Sequence, residues 1–471
     1  MFISSSNSLL DNDFNAQSLS SLGNTRIQAT IGSQKSQSNS KSYSEVNQAS
    51  TIQANNLALI ATGSGTDSNI NIKGSNLDVT NNALFQADNY FNVNGVAQNS
   101  NTRSTNSSSS AAIGGYVSTG NGFGITANAS RVKGYANSDT TTYANSQINV
   151  DGTTTLDIGN DLSIKGGVIN TDKAQGVIGG NVNIESLQDT YSYDSDQKNM
   201  GFSADVDLKG AGSSLSVNGG RTNLNADYKA VGEQSGLFTG DGGFDLEVGG
   251  KTTLIGGAIT TTEEALKAGR NNYVSKGGIV TQDIENTTSY DGDTISIGLS
   301  AGKTTGKPQA TMNGLGYGTD SDSDSSTTRA GITGIAGNSG ITTDNQAEYA
   351  GKLDNVFDAE RVNEELGAQT QITKEFGKEA PKAVAEFSQN RINTIKADPS
   401  LSVNEKLAAI AKWDEGGIYR VAAHTALGVL GTGSVEGALT TGDVAAAAPT
   451  LNDIQAKLAK ALLAMLKKPY N

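Results

Sequence analysis

Between about residues 24 and 345 the apolar positions come in pairs one residue apart. Ile70/Ile72, Leu77/Val79, Phe91/Val93, Ile148/Val150, Leu156/Ile158, Leu162/Ile164, Val182/Ile184 and Leu246/Val248 are such pairs. Alternation with period two puts both members of a pair on one face of a strand. Gly or Asn usually fills the gap between pairs, as in Gly159-Asn160-Asp161 and Gly166-Gly167. Strands this short, turning a corner every roughly six to nine residues, predict the rungs of a right-handed parallel β-helix with about three strands per turn. A β-sandwich would need longer strands and regular hairpin signals.

Longer alternations interrupt the short pairs. Phe202, Ala204, Val206 and Leu208 alternate, Lys209 to Ser214 reads as a turn, and Leu215 and Val217 alternate again, which predicts a β-hairpin standing out from the rungs. The pattern repeats. Gly114, Gly201 and Gly298 each centre an alternating strand, and Tyr43, Tyr143 and Tyr228 each open a run back into the short pairs. Repetition at long period points to a stacked array, with the hairpin excursions decorating one side of it.

From about residue 346 the period becomes helical, through Ile372, Phe376, Val384 and Phe387, with Pro381 as an expected kink or break. Pro399 should end the next helical stretch. Ser402 with Glu405 forms a capping box ahead of Leu407, Ile410 and Trp413. Residues 417–448 are rich in Ala and Gly, too interrupted for a membrane span, and Ile454, Leu458, Leu462, Met465 and Leu466 form the apolar stripe of a last helix. The lysines beside that stripe would suit a membrane surface, but packing on the preceding helices is the expectation. The chain therefore divides into 1–23, poorly ordered or a partial rung; 24–345, the β-helix; and 346–471, a smaller α-helical region expected to be a separate cooperative unit.

Composition narrows the class. Only 35% of the 471 residues are hydrophobic and 6% aromatic, with 57 glycines, which is too lean for several globular cores but suits rungs that each bury a few side chains. There is no cysteine, hence no disulfide and no thiolate site. A net charge of −14 excludes a general affinity for nucleic acid, while leaving room for a local basic patch. Met1 to Ser6 lacks a basic n-region and an apolar h-region, so if the parent protein is exported this chain is expected to be an interior or C-terminal piece of it.

The chemical motifs are weak. Asp320, Asp322 and Asp324 imitate the start of a calcium loop, but Ser325 and Gly331 replace its glycine and its bidentate glutamate, and the segment reads as a solvated acidic loop. Gly298 to Thr304 is one residue short of a phosphate loop, and Gly431 to Gly437 is off the dinucleotide spacing. Ser300 stands in a Gly-x-Ser-x-Gly sequence without a helix start after it, and His424, the sole histidine, sits in a packed Ala-rich context. No catalytic, cofactor-binding or metal-binding residue is assigned, and no cofactor is expected.

The run from Tyr43 to Leu77, with Ser50 to Leu57 and Asn69 to Leu77 as its phrases, resembles the haemagglutinin repeats of filamentous haemagglutinins and of the large contact-dependent growth-inhibition proteins of Gram-negative bacteria. Thr328 to Thr333 and Gly340 to Asp344 resemble the close of that repeat region, and Trp413 to Arg420, running into His424, the helices that precede the toxin. The resemblance implies two-partner secretion through an outer-membrane transporter, engaged by an N-terminal part of the parent, onto the cell surface. The segment would be a non-catalytic stalk or carrier for target-cell contact and toxin delivery. It would meet the target-cell surface or outer membrane, with no nucleic-acid partner and no small-molecule substrate. The family's N-terminal secretion domain, its Val-Glu-Asn-Asn boundary motif and a toxin domain are not found in these residues. A β-helical polysaccharide lyase or glycosidase, or a plain adhesin without a toxin, are the other readings.

Overall fold

A computed structural model describes residues 26–118, 122–208, 212–302, 309–423 and 425. The protein is mainly β, with a smaller helical region towards the C-terminus. The short apolar pairs form two sheets. In one, Ile70–Lys73, Phe91–Asn94, Leu162–Lys165, Val182–Glu185, Thr252–Ile255 and Ile279–Gln282 lie side by side, all parallel. The other contains the remaining short strands and is parallel up to the antiparallel pair Gly331–Ile332 and Ala336–Gly337. One passage of the chain through both sheets is called a rung below.

Register aligns like side chains from rung to rung. Ile52, Leu77, Ile148, Ile169, Leu237, Ile259 and Ile332 stand in one column. Ile72, Val93, Ile164, Ile184 and Leu254 stand in another. Apart from the exposed Ile52, both columns feed a single core in which Leu156, Leu162 and Ile164 are buried and Phe85 stacks on Phe91 at 4.7 Å. The residues between the inward pairs are polar and pair with each other: Asn170 Nδ2 donates to Asn149 Oδ1, and Asn149 Nδ2 to Asp78 Oδ1. At one corner the glycines are obligatory. A Cβ on Gly179 would lie 2.3 Å from the Gly159 carbonyl oxygen, and one on Gly249 2.3 Å from that of Gly179, so the stacked backbones leave no room for a side chain.

One segment of this stack departs from the strand pattern. Glu263–Lys267 is a helical turn, with Thr262 accepting from the Ala265 amide at its N-terminus. The strand Asn271–Ser275 follows and sets Tyr273 in the core, its hydroxyl 2.8 Å from Thr252 Oγ1. Burial pushes the Tyr273 phenol up to about 12. Because folding raises this pKa, the neutral phenol's contribution is complete below the unfolded value near 10 and is lost as pH rises through about 12. Thermal melts between pH 9 and pH 12 should therefore fall more steeply for the parent than for Tyr273→Phe, which keeps the ring and has nothing to ionise.

The long alternating segments form a third sheet, seven-stranded and antiparallel. Its order follows the chain: Arg26–Glu45, Val96–Ser118, Gly122–Ala144, Gln188–Asp207, Ser214–Val231, Ile284–Gly302 and Gln309–Thr328. Gly114, Gly201 and Gly298 lie in the outgoing strands of three successive hairpins, and Tyr43, Tyr143 and Tyr228 near the ends of returning strands. The hairpins are thus no isolated decorations, because each pairs with the next. Two rungs separate successive hairpins. Rungs stack at the strand spacing of about 4.8 Å, so two rungs advance by about 9.6 Å, the width of one two-stranded hairpin. That equality lets hairpins leaving the stack at the same corner join into a continuous sheet.

The helical region begins on this sheet. The helix Ala359–Ala397 is capped by Asp358, whose carboxylate accepts from the Glu360 and Arg361 amides. Val362 and Leu366 are buried with Phe357 against Leu224, Ala226 and Tyr290 of the sheet. Gly292 permits the approach, since a Cβ there would meet Leu224, Leu366 and Val362 within 3.3 Å. Further along, the helix serves the outer edge of the sheet: Thr373 Oγ1 accepts from the Tyr317 amide at 2.7 Å, and Gln369 Oε1 from the Thr319 amide at 2.9 Å. Edge amides that no strand takes are thereby satisfied.

Two sequence expectations, the break at Pro381 and the loop from Asp320 to Ser326, are corrected here. The backbone runs helically through residue 381 without a break. Ile372, Phe376 and Phe387 are exposed, and the buried face is carried by Val362, Leu366 and Ile392. Asp320 to Ser326 is part of a strand, not a loop, with Asp320 accepting from the Tyr290 hydroxyl. The helix does end at Ala397 before Pro399, and the Ser402–Glu405 capping box is formed. His424, Gly431 to Gly437 and the stripe from Ile454 to Leu466 lie outside the described residues.

Candidate functional site

Alternation gives six of the long strands one apolar and one polar face in their outer halves. Ile27 and Ile31 of the first strand face Val117 and Ile113. Val117 faces Phe123 and Ile113 faces Ala127. Ala129 faces Phe202, Phe202 faces Val217, and Val217 faces Leu299. Their shared face is uncovered: Ile31 is 74% exposed, Val117 64% and Met200 67%. In the returning strand this band runs from Phe123 to Ala129, about 20 Å at the rise of an extended chain. Six of the strands supply it, a contiguous apolar surface of the kind that soluble monomers rarely leave open.

The reverse face is small and polar. Thr126, Ser203, Ser216 and Asn218 occupy it, with the Ser203 and Ser216 hydroxyls 2.7 Å apart. The sheet curls towards this side. Arg26 reaches Asp205 at 2.7 Å although two strands lie between theirs, and its guanidinium covers the Tyr116 ring. Burial and the neighbouring Asp205 push the Tyr116 phenol up to about 12. The apolar face is consequently the convex one.

Where the band ends, towards the rungs, a row of cations begins. Lys35 and Arg131 flank Ser109, and Lys133, Lys198 and Arg221 stand directly opposite one another on three adjacent strands. Asp196 answers two of them: its Oδ2 lies 2.6 Å from Arg221 and 3.2 Å from Lys198. The hydrogen bond from Arg221 holds the Asp196 carboxyl below the usual carboxylate range. A cavity of about 390 Å³ opens beside this row.

The weighed motifs are dispersed. Ser300 lies inside a strand, paired with Ser216 on one side and Thr311 on the other, so it is not at a strand-to-helix elbow. Lys303 and Thr304 fall outside the described residues. Among the described residues no group of three or more His, Asp or Glu could hold a metal ion, and no helix is long and apolar enough to cross a membrane. Sequence reasoning read the alternation of Phe202, Val206, Leu215 and Val217 but not the face they build together. The signal was present in Ile27/Ile31 and Ile113/Val117, whose spacings of four residues keep both members on one side.

A family model described as haemagglutinin repeat matches residues 31–200. A tRNA nuclease CdiA of Yersinia mollaretii is 31% identical over 369 residues, 74% of this chain and 12% of that protein. A tRNA nuclease CdiA of Escherichia coli NC101 is 31% identical over 298 residues, 62% of this chain and 9% of that protein. A deoxyribonuclease CdiA of Yersinia pseudotuberculosis is 29% identical over 284 residues, 59% of this chain and 26% of that protein. The chain thus spans between about a tenth and a quarter of these relatives, whose nuclease names describe those whole proteins. No solved structure matches. With its repeats recognised over the outgoing and returning strands alike, the chain belongs to the filamentous haemagglutinin and contact-dependent growth-inhibition family.

Proposed function

We propose that this chain is a non-catalytic stalk segment of a secreted cell-surface protein, and that its hairpin sheet meets the outer membrane of a target cell. The stalk is the parallel stack, which we read as a right-handed β-solenoid, the hand that parallel strand connections overwhelmingly take. A two-partner secretion transporter would export the parent through another part of it. The exposed convex band carries the membrane reading. Apolar residues face outward and polar ones inward, the band approaches the height of an outer-membrane hydrocarbon layer, and lysine and arginine stand at its border where anionic headgroups lie. Nuclease activity, where relatives have it, would belong to a part of those proteins beyond the matched repeats.

Co-sedimentation with phosphatidylcholine and phosphatidylglycerol vesicles tests this. The parent chain should bind, and Ile113→Ser/Val117→Ser/Phe123→Ser should lose most of the binding while keeping its melting temperature, since these side chains are exposed. Thr126→Ala on the concave face should bind as the parent does. Undiminished binding by the triple variant would overturn the assignment of the band.

A further inference from the structure

The row Lys133, Lys198 and Arg221 places like charges directly opposite each other on neighbouring strands, an arrangement that repels unless anions answer it. Asp196 neutralises one charge among three. It is spent on Lys198 and Arg221, and no ion pair in the described residues is made by Lys133. Asp196 is itself 92% buried, being 8% exposed, and its Oδ1 has no hydrogen-bond partner.

The cavity beside the row is built by a contrast in size. Lys133, Tyr135 and Lys198 are long, whereas Thr105 and Ser107 on the adjacent strand are short, and Gln37 closes the far side. Tyr135 is steadied by a hydrogen bond to Asp194 at 3.3 Å, and burial followed by that bond raises its phenol above the ordinary value. At about 390 Å³ the space is far larger than a phosphate ion needs and lies in the range of small-ligand sites. Its walls combine the Lys133 and Lys198 ammonium groups, the Asp196 carboxylate that Lys198 and Arg221 already neutralise, the Tyr135 phenol ring, and hydroxyl and amide groups. That mixture suits a sugar ring bearing one anionic group: cations for the charge, Gln37, Thr105 and Ser107 for the hydroxyls, Tyr135 for the ring face.

We propose that this cavity binds a phosphate-bearing monosaccharide unit, with Lys133 and Lys198 on the phosphate. The unit is bound and not turned over, and its source is either a free sugar phosphate or the headgroup of a phosphorylated glycolipid. The site rests on the cavity and its charges and does not require that the apolar band enter a membrane.

Titration calorimetry on the full chain tests it with glucose 6-phosphate, glucose and inorganic phosphate as probes. Glucose 6-phosphate should bind saturably and more tightly than either other probe. Lys133→Gln should weaken it by about tenfold or more at an unchanged melting temperature, because Lys133 supports no ion pair of the fold. Lys133→Arg should retain most of the binding, and Ser107→Trp, which fills the cavity, should abolish it. Equal binding of glucose and glucose 6-phosphate, or an unaffected Lys133→Gln, would overturn the proposal. So would a lack of saturable binding by any probe, leaving the row as solvated surface charge. Vesicles of phosphatidylcholine with and without a phosphorylated glucosamine lipid separate the sources. If the headgroup is the ligand, the lipid adds binding that Lys133→Gln removes and free glucose 6-phosphate competes away. If the phosphorylated lipid adds nothing while the titration holds, the ligand is the soluble sugar phosphate.

Discussion

Ile164→Asp is expected to unfold the rungs around it, while Ser163→Asp leaves the melting curve close to that of the parent. Ile164 is fully buried in a column between Val93 and Ile184, and Ser163 points away from that core. An aspartate in the column would lose the packing of the isoleucine and bury a carboxylate with no partner, together costing on the order of 5 kcal/mol or more. In a stacked array each rung touches chiefly its neighbours, so the loss should appear as early melting of the central rungs, measurable by hydrogen exchange at Leu156 to Ile184. Leu162→Asp, in the same strand and 2% exposed, should behave like Ile164→Asp. Equal melting of the variants at 162, 163 and 164 would refute the inward register.

The inward positions were legible because a pair such as Leu162/Ile164 needs only local alternation, and the glycine at each corner has a local cause in stacked backbones. The hairpins were legible singly. Phe202 to Val206 and Leu215 to Val217 announce two strands around a turn, although the strands run further, from Gln188 to Asp207 and from Ser214 to Val231. What alternation could not reveal is lateral joining, which depends on how many rungs separate two hairpins and therefore on the count of strands across a whole module. Exposure was hidden for the same reason. Val117 and Ile164 look alike in sequence, yet one faces solvent and the other a column of its own kind. The Asp320 to Ser326 segment read as a loop because nothing in it is apolar. It is held extended by pairing with Asn286 to Gly292 and by Tyr290 and the nearby Arg361.

The helix Ala359–Ala397 shows where long-range packing overrules local texture. Its sequence changes character near residue 346, but Val362 and Leu366 complete a cluster begun by Leu224 and Tyr290, and Thr373 and Gln369 bond to the edge of the sheet. Among the described residues the opposite edge, Arg26–Glu45, has no strand on its outer side and is exposed almost throughout. The sheet is therefore finished at one edge and open at the other. An open, extended edge favours pairing with a further strand.

The central claim is that hairpins and rungs keep one pitch, two rungs to a hairpin, and that the apolar band exists only because they do. Deleting residues 146–166 joins Asn145 to Gly167 and removes a single rung, which should displace the second hairpin from the first by about 4.8 Å. Deleting residues 146–234 joins Asn145 to Ser235 and removes two rungs together with their hairpin, which should leave the pitch intact. The deciding measurement compares the two deletions with the parent by thermal melting followed at the sheet and by binding to phosphatidylcholine and phosphatidylglycerol vesicles. The account predicts that the shorter deletion loses cooperative melting of the sheet and most of the vesicle binding, while the longer one keeps both. Equal tolerance of the two deletions, or greater damage from the longer one, would contradict it.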